Sequence, residues 1–385
     1  MPYRARDVQA APVSKKSGSF HNRFMLKYMP GSGGCRRRKK KDIMIREEYI
    51  HPGAFVLESG ETLGELTVVY HRSDRPYLPS GDSRKVVWIC HAFTANSDPQ
   101  DWWPGLVGPG KVIDPDKYFV VCVNMLGSPY GTTSAASLKP GTDRSYYFDF
   151  PKITVRDIVN ANILIRKHLG VSRIDLMIGG SIGGFQALEW MIMEPDVMKK
   201  SLVSACGARV TPWVTAYNES QRMALEADPT FRECASLSGG RKGLACARSI
   251  ALISYRNYLC YNDTQSEPDP DKMFADKVCS YQQYQGRKLV DRFDAYSYYC
   301  LTYSLDSHNV GRGRGGVEAA LKRIKADTVV VGINTDCLFP VQEQKYMATH
   351  IDGAMYVEIN SRFGHDGFLI ESGPLGNIIQ QLLDF

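Results

Sequence analysis

The sequence has no apolar run of the length needed to cross a bilayer, no C-x-x-C pair, and no His/Cys/Asp/Glu spacing of the kind that holds a metal. The first absence excludes a spanning helix, which needs about 20 mostly apolar residues. The second and third exclude a redox motif and a structural zinc site. The ten cysteines are scattered, and Cys90, Cys122 and Cys206 lie inside apolar segments. That distribution suits buried thiols in a reducing cytoplasm better than a disulfide framework. No apolar stretch follows the basic residues near the N-terminus, so a secretory leader is not expected. No resident metal or cofactor and no membrane partner are expected.

Acidic residues are scarce at one end only. Residues 1–46 hold 13 Lys and Arg against two Asp, a local balance of +11, whereas the rest of the chain carries −5 and the whole chain +6. The basic head, dominated by Arg36-Arg-Arg-Lys-Lys-Lys41, has no periodic apolar pattern and is expected to be a disordered extension over 1–46. Without interleaved aromatics or a binding module it does not argue for a nucleic-acid partner. Met44, immediately before Ile45-Arg-Glu-Glu-Tyr49, is where a shorter chain would start.

What the chain does have is Ile178-Gly179-Gly180-Ser181-Ile182-Gly183-Gly184, set between an apolar run (Ile174 to Ile178) and a helical pattern (Phe185 to Trp190). A serine on a tight strand-to-helix turn is the nucleophile elbow of α/β-hydrolase-type enzymes. The crowded backbone there requires neighbours two positions away without a Cβ, which Gly179 and Gly183 supply. A lone G-x-S-x-G is weak, because a glycine-rich turn also serves to pack helix on sheet. The strand before and the helix after make it more specific.

In this fold the acid and the histidine follow the serine, each on a loop after a later strand. Asp327-Thr-Val-Val-Val-Gly-Ile333 reads as a buried strand with Asp336 just beyond it. A helix-like stretch from Val341 to His350, a short strand around Met355 to Glu358 and the glycine-flanked His365 complete the order. His350 falls at a helix C-terminus, where a cation facing the dipole is the ordinary explanation. His365 has the loop placement a general base needs. The expected catalytic residues are therefore Ser181, Asp336 and His365. Oxyanion donors are expected from the Ile182 amide and from the Phe93 amide, on the loop after Val86-Val-Trp-Ile-Cys90. His91 precedes the serine and reads as shaping that loop.

Alternating strands and helices over 47–210 and 326–385 imply a mostly parallel central sheet flanked by helices. Thr154-Val-Arg-Asp157 reads as a capping box opening a helix that ends at Leu169-Gly170. Over 211–325 the alternation gives way to a tyrosine-rich helical pattern, expected to be an inserted lid over the site.

Longer blocks make the pattern more specific. Gly179-Gly-Ser-Ile-Gly-Gly-Phe-Gln-Ala-Leu-Glu-Trp190, Asp101-Trp-Trp-Pro-Gly-Leu-Val-Gly-Pro-Gly-Lys111, Asn124-Met-Leu-Gly-Ser-Pro-Tyr-Gly131, Phe150 to Asp157, Arg292-Phe-Asp-Ala-Tyr-Ser297 and Gly364 to Glu371 together resemble the homoserine O-acetyltransferase family, over roughly 45–385. The resemblance implies a two-step acetyl transfer from acetyl-CoA, as co-substrate, through Ser181 to L-homoserine, in methionine biosynthesis. It implies that Arg248 binds the substrate carboxylate, with Tyr255 on the same stretch, and that Asp366 meets the substrate ammonium. It also implies a homodimer formed through the lid. Phe93 and Ile182 stand where the family usually has Leu and Met, and both line the acyl pocket. That leaves open a serine acceptor or a succinyl donor. A plain esterase is less in keeping with a charge clamp made of Arg248 and Asp366.

Overall fold

The computed structural model describes residues 43–233 and 236–384, and the basic head up to Asp42 lies outside the described residues. The extension expected over 1–46 is too long by three residues, because strand β1 (Met44–His51) already includes Met44, Ile45 and Arg46. Its alternating half-exposed pattern is that of an edge strand with one face to solvent, so charged residues conceal it from a search for apolar runs.

After the two-residue strands β2 (Phe55–Val56) and β3 (Thr62–Leu63) come β4 (Leu66–Ser73), β5 (Val86–Cys90), β6 (Phe119–Val123), β7 (Ile174–Gly180), β8 (Met198–Ser204), β9 (Asp327–Ile333) and β10 (Met355–Ile359). Eight of these form one sheet in the order β1-β4-β6-β5-β7-β8-β9-β10. β1 and β4 pair antiparallel, as do β4 and β6, and every pairing from β6 through β10 is parallel. All five residues of β5 and of β6 are buried, as a parallel strand covered on both faces requires. The mostly parallel sheet with helices on its faces is the fold expected from the sequence.

The helix Val155–His168 opens on a reciprocal capping box between Thr154 and Asp157. It packs beside the elbow helix Ile182–Met193. Trp88 of β5 meets Trp190 of that helix edge-on at 5.2 Å and donates its indole N–H to Asn162 Oδ1 at 3.0 Å. Strand β5 is thereby tied to both helices.

Between β8 and β9 the chain forms only helices among the described residues. Helices Pro212–Glu226, Arg241–Tyr255 and Asp276–Val290 pack closely because glycines stand at their crossings. A Cβ on Gly243 would come within 2.7 Å of Leu225 Cα, and one on Gly286 within 2.6 Å of the Ala245 carbonyl oxygen. Arg241–Tyr255 begins where Asp228 Oδ2 accepts the Lys242 and Gly243 N–H groups at 3.0 Å, which satisfies two otherwise orphaned donors.

Candidate active site

Ser181 sits at the end of β7 with φ +56°, one of three described non-glycine residues with positive φ. Such backbone strain persists only where the surroundings enforce it. A Cβ on Gly179 would overlap the Gly183 carbonyl, and one on Gly183 would overlap the Cys90 carbonyl. The turn is therefore as tight as main chain permits, and it directs the Ser181 hydroxyl out of the sheet at the start of the helix.

The acid loop follows β9. Asp336 Oδ1 accepts the Leu338 and Phe339 N–H groups at 2.8 and 2.9 Å, which leaves Oδ2 to receive His365 Nδ1 at 2.7 Å. His365 Nε2 then lies 3.0 Å from Ser181 Oγ. Because the carboxylate accepts at Nδ1–H, the proton sits on Nδ1 and Nε2 is left to accept the serine O–H. The acid and histidine loops are tied together: Thr335 Oγ1 donates to the Ser361 carbonyl at 2.7 Å and accepts the Gly364 N–H at 3.0 Å. Rings of Phe339, Phe368 and Tyr255 surround the imidazole at 5.4, 5.3 and 5.6 Å. Burial alone would push the His365 pKa down, but the charge and hydrogen bond of Asp336, with Asp366 nearby, more than reverse this, and the value is raised.

Residues near the front edge of the site complete the cavity. Phe93 is buried and packs against Tyr298 at 4.8 Å. Phe93, Ser181, Tyr255, Leu338 and Phe339 line a narrow cleft, bounded on its other side by Val214, Tyr217, Asn218, Gln221, Ser254 and Leu305. Seven of these eleven, counting Tyr255, come from the inserted helices. His91 points elsewhere: its Nε2 accepts the Met125 N–H at 2.9 Å and its Nδ1 meets the Ala92 carbonyl at 2.9 Å. Burial holds its pKa down to about 4, so it is neutral and braces the loop after β5.

The remaining residues singled out in the sequence gather on one side. The Arg248 guanidinium lies 5.5 Å from the Tyr255 ring, which adjoins His365. Burial raises the Tyr255 hydroxyl pKa to about 12, so it stays protonated. Asp366 is not alone: Arg256 Nε lies 2.7 Å from its Oδ2. Sequence reasoning passed over Arg256, which offered no more than a Tyr-Arg pair at a helix end. It also passed over Arg292, which donates to the Thr94 carbonyl and the Tyr130 hydroxyl and so joins two loops of the sheet to the helical insertion. The blocks holding Tyr130 and Arg292 were the available signal. Among the described residues no cluster of His, Cys, Asp and Glu is arranged to hold a metal.

The arrangement can activate a serine, form an acyl-enzyme and pass the acyl group on. The chain is similar to known proteins over most of its length. The alpha/beta hydrolase fold family matches residues 85–371. Homoserine O-acetyltransferase of Cyclobacterium marinum is 41% identical over 337 residues, covering 88% of this chain and 95% of that protein. The Nostoc punctiforme protein of the same name is 38% identical over 364 residues, covering 89% and 99%. The crystal structure of homoserine o-acetyltransferase from Staphylococcus aureus superposes with a TM-score of 0.72 at 29% identity, covering 89% of this chain and 96% of that one. Esterase E22 superposes at 0.78 with 22% identity, covering 88% and 100%, a likeness of fold.

Proposed function

The chain belongs to the homoserine O-acetyltransferase family of the α/β-hydrolase fold, and from that premise we propose that it transfers the acetyl group of acetyl-CoA to the hydroxyl of L-homoserine, a step of methionine biosynthesis. The observation that carries the chemistry is the continuous hydrogen-bonded path from Asp336 through His365 to Ser181.

In the first half-reaction, His365 Nε2 takes the Ser181 proton as Oγ attacks the thioester carbonyl. The negative charge that develops on the carbonyl oxygen is held by the backbone N–H groups of Ile182, at the elbow helix start, and Phe93. The C–S bond breaks, and His365 returns the proton to the leaving thiolate of CoA. Asp336 stabilises the imidazolium while it lasts. In the second half the homoserine hydroxyl gives its proton to His365 and attacks the acyl-serine. Ser181 leaves and regains the proton.

A zwitterionic acceptor needs one cation and one anion beside the nucleophile, and Arg248 and Asp366 are those groups in this reading. Tyr255, protonated and set between Arg248 and His365, lines the acceptor's path. The helices between β8 and β9 act as a lid, and a closed lid favours transfer over hydrolysis because it excludes water. Exposed apolar residues on that lid, Ile253, Tyr258, Leu259, Met273 and Phe274, support a homodimer formed through it. A cytoplasmic location suits a biosynthetic enzyme whose eight described cysteines are all unpaired. No helix among the described residues is long and apolar enough to cross a membrane.

The test is CoA release from acetyl-CoA with and without L-homoserine, beside Ser181→Ala. Homoserine-dependent thiol release that the substitution abolishes is the expected result. Release indifferent to homoserine yet dependent on Ser181 would point to a hydrolase or to another acceptor.

A further inference from the structure

Arg256 closes the helix Arg241–Tyr255 and is half-buried beneath the loop that carries His365. Two contacts join it to that loop. Its Nε lies 2.7 Å from Asp366 Oδ2. Its main chain also abuts Gly364, where φ is +64° and an added Cβ would lie 2.9 Å from the Arg256 carbonyl carbon. Only glycine permits that approach together with that backbone angle. A second ion pair, Arg362 with Asp263, joins the same loop to the next lid helix, Tyr258–Gln265. The pair is held by charge, because Arg256 Nε is buried without hydrogen-bond geometry to any partner. Oδ2 is the oxygen set against the guanidinium, and among the described residues no donor reaches Oδ1, although an ionised carboxylate offers about four acceptor positions.

We propose that Arg256 is a positioning residue for acceptor selection: it holds Asp366 by Oδ2 and so presents Oδ1 to the ammonium of an amino-alcohol acceptor. This rests on the acyl-transfer reading of the same site. Without Arg256, Asp366 has no fixed rotamer, and its full negative charge acts on the neighbouring imidazole. The charged and titratable groups around His365 and Asp366 are Asp336 from the loop after β9, Asp366 on its own loop, and Tyr255, Arg256 and Tyr261 from the lid, with Arg248 beyond Tyr255. Cys206 and Cys337 face Asp336 from behind. Of these, Arg256 is the cation set directly against Asp366.

The experiment uses the full chain with Arg256→Met and Arg256→Lys, each checked for an intact thermal transition. Three readouts are compared: the burst rate of acyl-enzyme formation, the KM for L-homoserine, and the pH profile of aryl-acetate hydrolysis. For Arg256→Met the expected results are a burst rate within about twofold of wild type and a KM for homoserine raised about tenfold, the size of one lost charge-assisted contact. Its acid limb moves to higher pH, because an uncompensated Asp366 favours the imidazolium. Arg256→Lys, which keeps the charge but not the fork, falls between. Equal losses in both half-reactions with an unmoved acid limb would reduce Arg256 to a structural role and overturn the proposal. If wild type shows no homoserine-dependent transfer, the functional reading fails. The acid limb of ester hydrolysis still decides the Arg256 question, and an unmoved limb in Arg256→Met then overturns it.

Discussion

Gly183 lies so close to the main-chain carbonyl of Cys90 that a Cβ on it would overlap the oxygen. The start of the elbow helix is thus seated directly on the end of β5, and the Ile182 N–H is placed beside the loop that carries Phe93. Both atoms in the contact are main chain, so no side-chain rotation relieves it. Gly183→Ala is expected to lose about 3 kcal/mol, at the upper end of overpacking costs. Gly373→Ala, in the C-terminal helix with nothing within 4 Å of its added Cβ, is expected to melt at or above the wild-type temperature. Thermal unfolding of the two variants checks this. A Gly183→Ala protein that melts like wild type would mean the helix shifts freely off the strand.

Ser181→Ala, His365→Ala and Asp336→Asn are expected to lower kcat by about 10³-fold or more, with the triple substitution little worse than the first. The reason is that the three groups act through one proton. Asp336→Asn leaves the loop's hydrogen bonds from Leu338 and Phe339 available to the amide oxygen, but presents an N–H to His365 and so inverts the tautomer. Steady-state rates of CoA release decide it. Independent, additive losses would separate the three residues into unrelated roles.

That Ser181, Asp336 and His365 come together was legible in the sequence because each occupies a local pattern: Gly-flanked turn, strand end, Gly-flanked loop. The buried strands β5, β6, β7 and β9 were legible for the same reason, since a strand covered on both faces is a largely apolar run. β1 was not, because an edge strand shows its polar face in the sequence. Contacts made across long stretches of chain were also hidden. Arg256 and Asp366 are both ordinary in their own neighbourhoods, and only the fold of the lid brings the guanidinium to the carboxylate. The Arg292 bridge to Thr94 and Tyr130 is of that kind too.

The raised pKa of His365 fixes the sign of the pH response. The base must be neutral to take the serine proton, so kcat/KM falls as pH drops through that raised value. The acid limb is expected above the ordinary histidine value of about 6.5. Asp366→Asn removes one of the charges that raise it and is expected to lower the limb. Aryl-acetate hydrolysis, which needs no zwitterionic acceptor, is the appropriate readout. A wild-type limb at or below 6.5 would contradict the balance of burial and charge described here.

His91 and His308 act on stability rather than on catalysis. Burial depresses both, to about 4 for His91 and about 3 for His308, and His308 lies flat on Phe185 at 3.9 Å while Nε2 donates to the Gly207 carbonyl. A histidine depressed in the folded state is protonated more readily when unfolded. Stability therefore rises with pH between the folded and unfolded values and is lost as pH falls below about 6.5. His91 alone accounts for about 3 kcal/mol across that window. Denaturant melts from pH 7 to pH 4 should show a steep decline, and His91→Asn should be less stable at pH 7 but flatter in pH. A wild-type slope unchanged by the substitution would remove His91 as the cause.

Arg248 provides the most direct test of how the acceptor is held. Its guanidinium is half-buried over Tyr255 and, among the described residues, forms no ion pair, so its charge is available to a ligand. If that ligand is the α-carboxylate, Arg248→Met removes a charge-assisted contact of about 1.5–3 kcal/mol and raises the KM for homoserine by about 10–100-fold. The acetyl-CoA half-reaction needs no carboxylate and is expected to keep its burst rate within about twofold. The double variant Arg248→Met/Asp366→Asn refines the argument. If both groups grip one small molecule, then once either is lost the acceptor no longer sits in register for the other, and the two effects should fall short of additive. A burst rate that collapses along with acceptor binding would instead assign Arg248 to the donor.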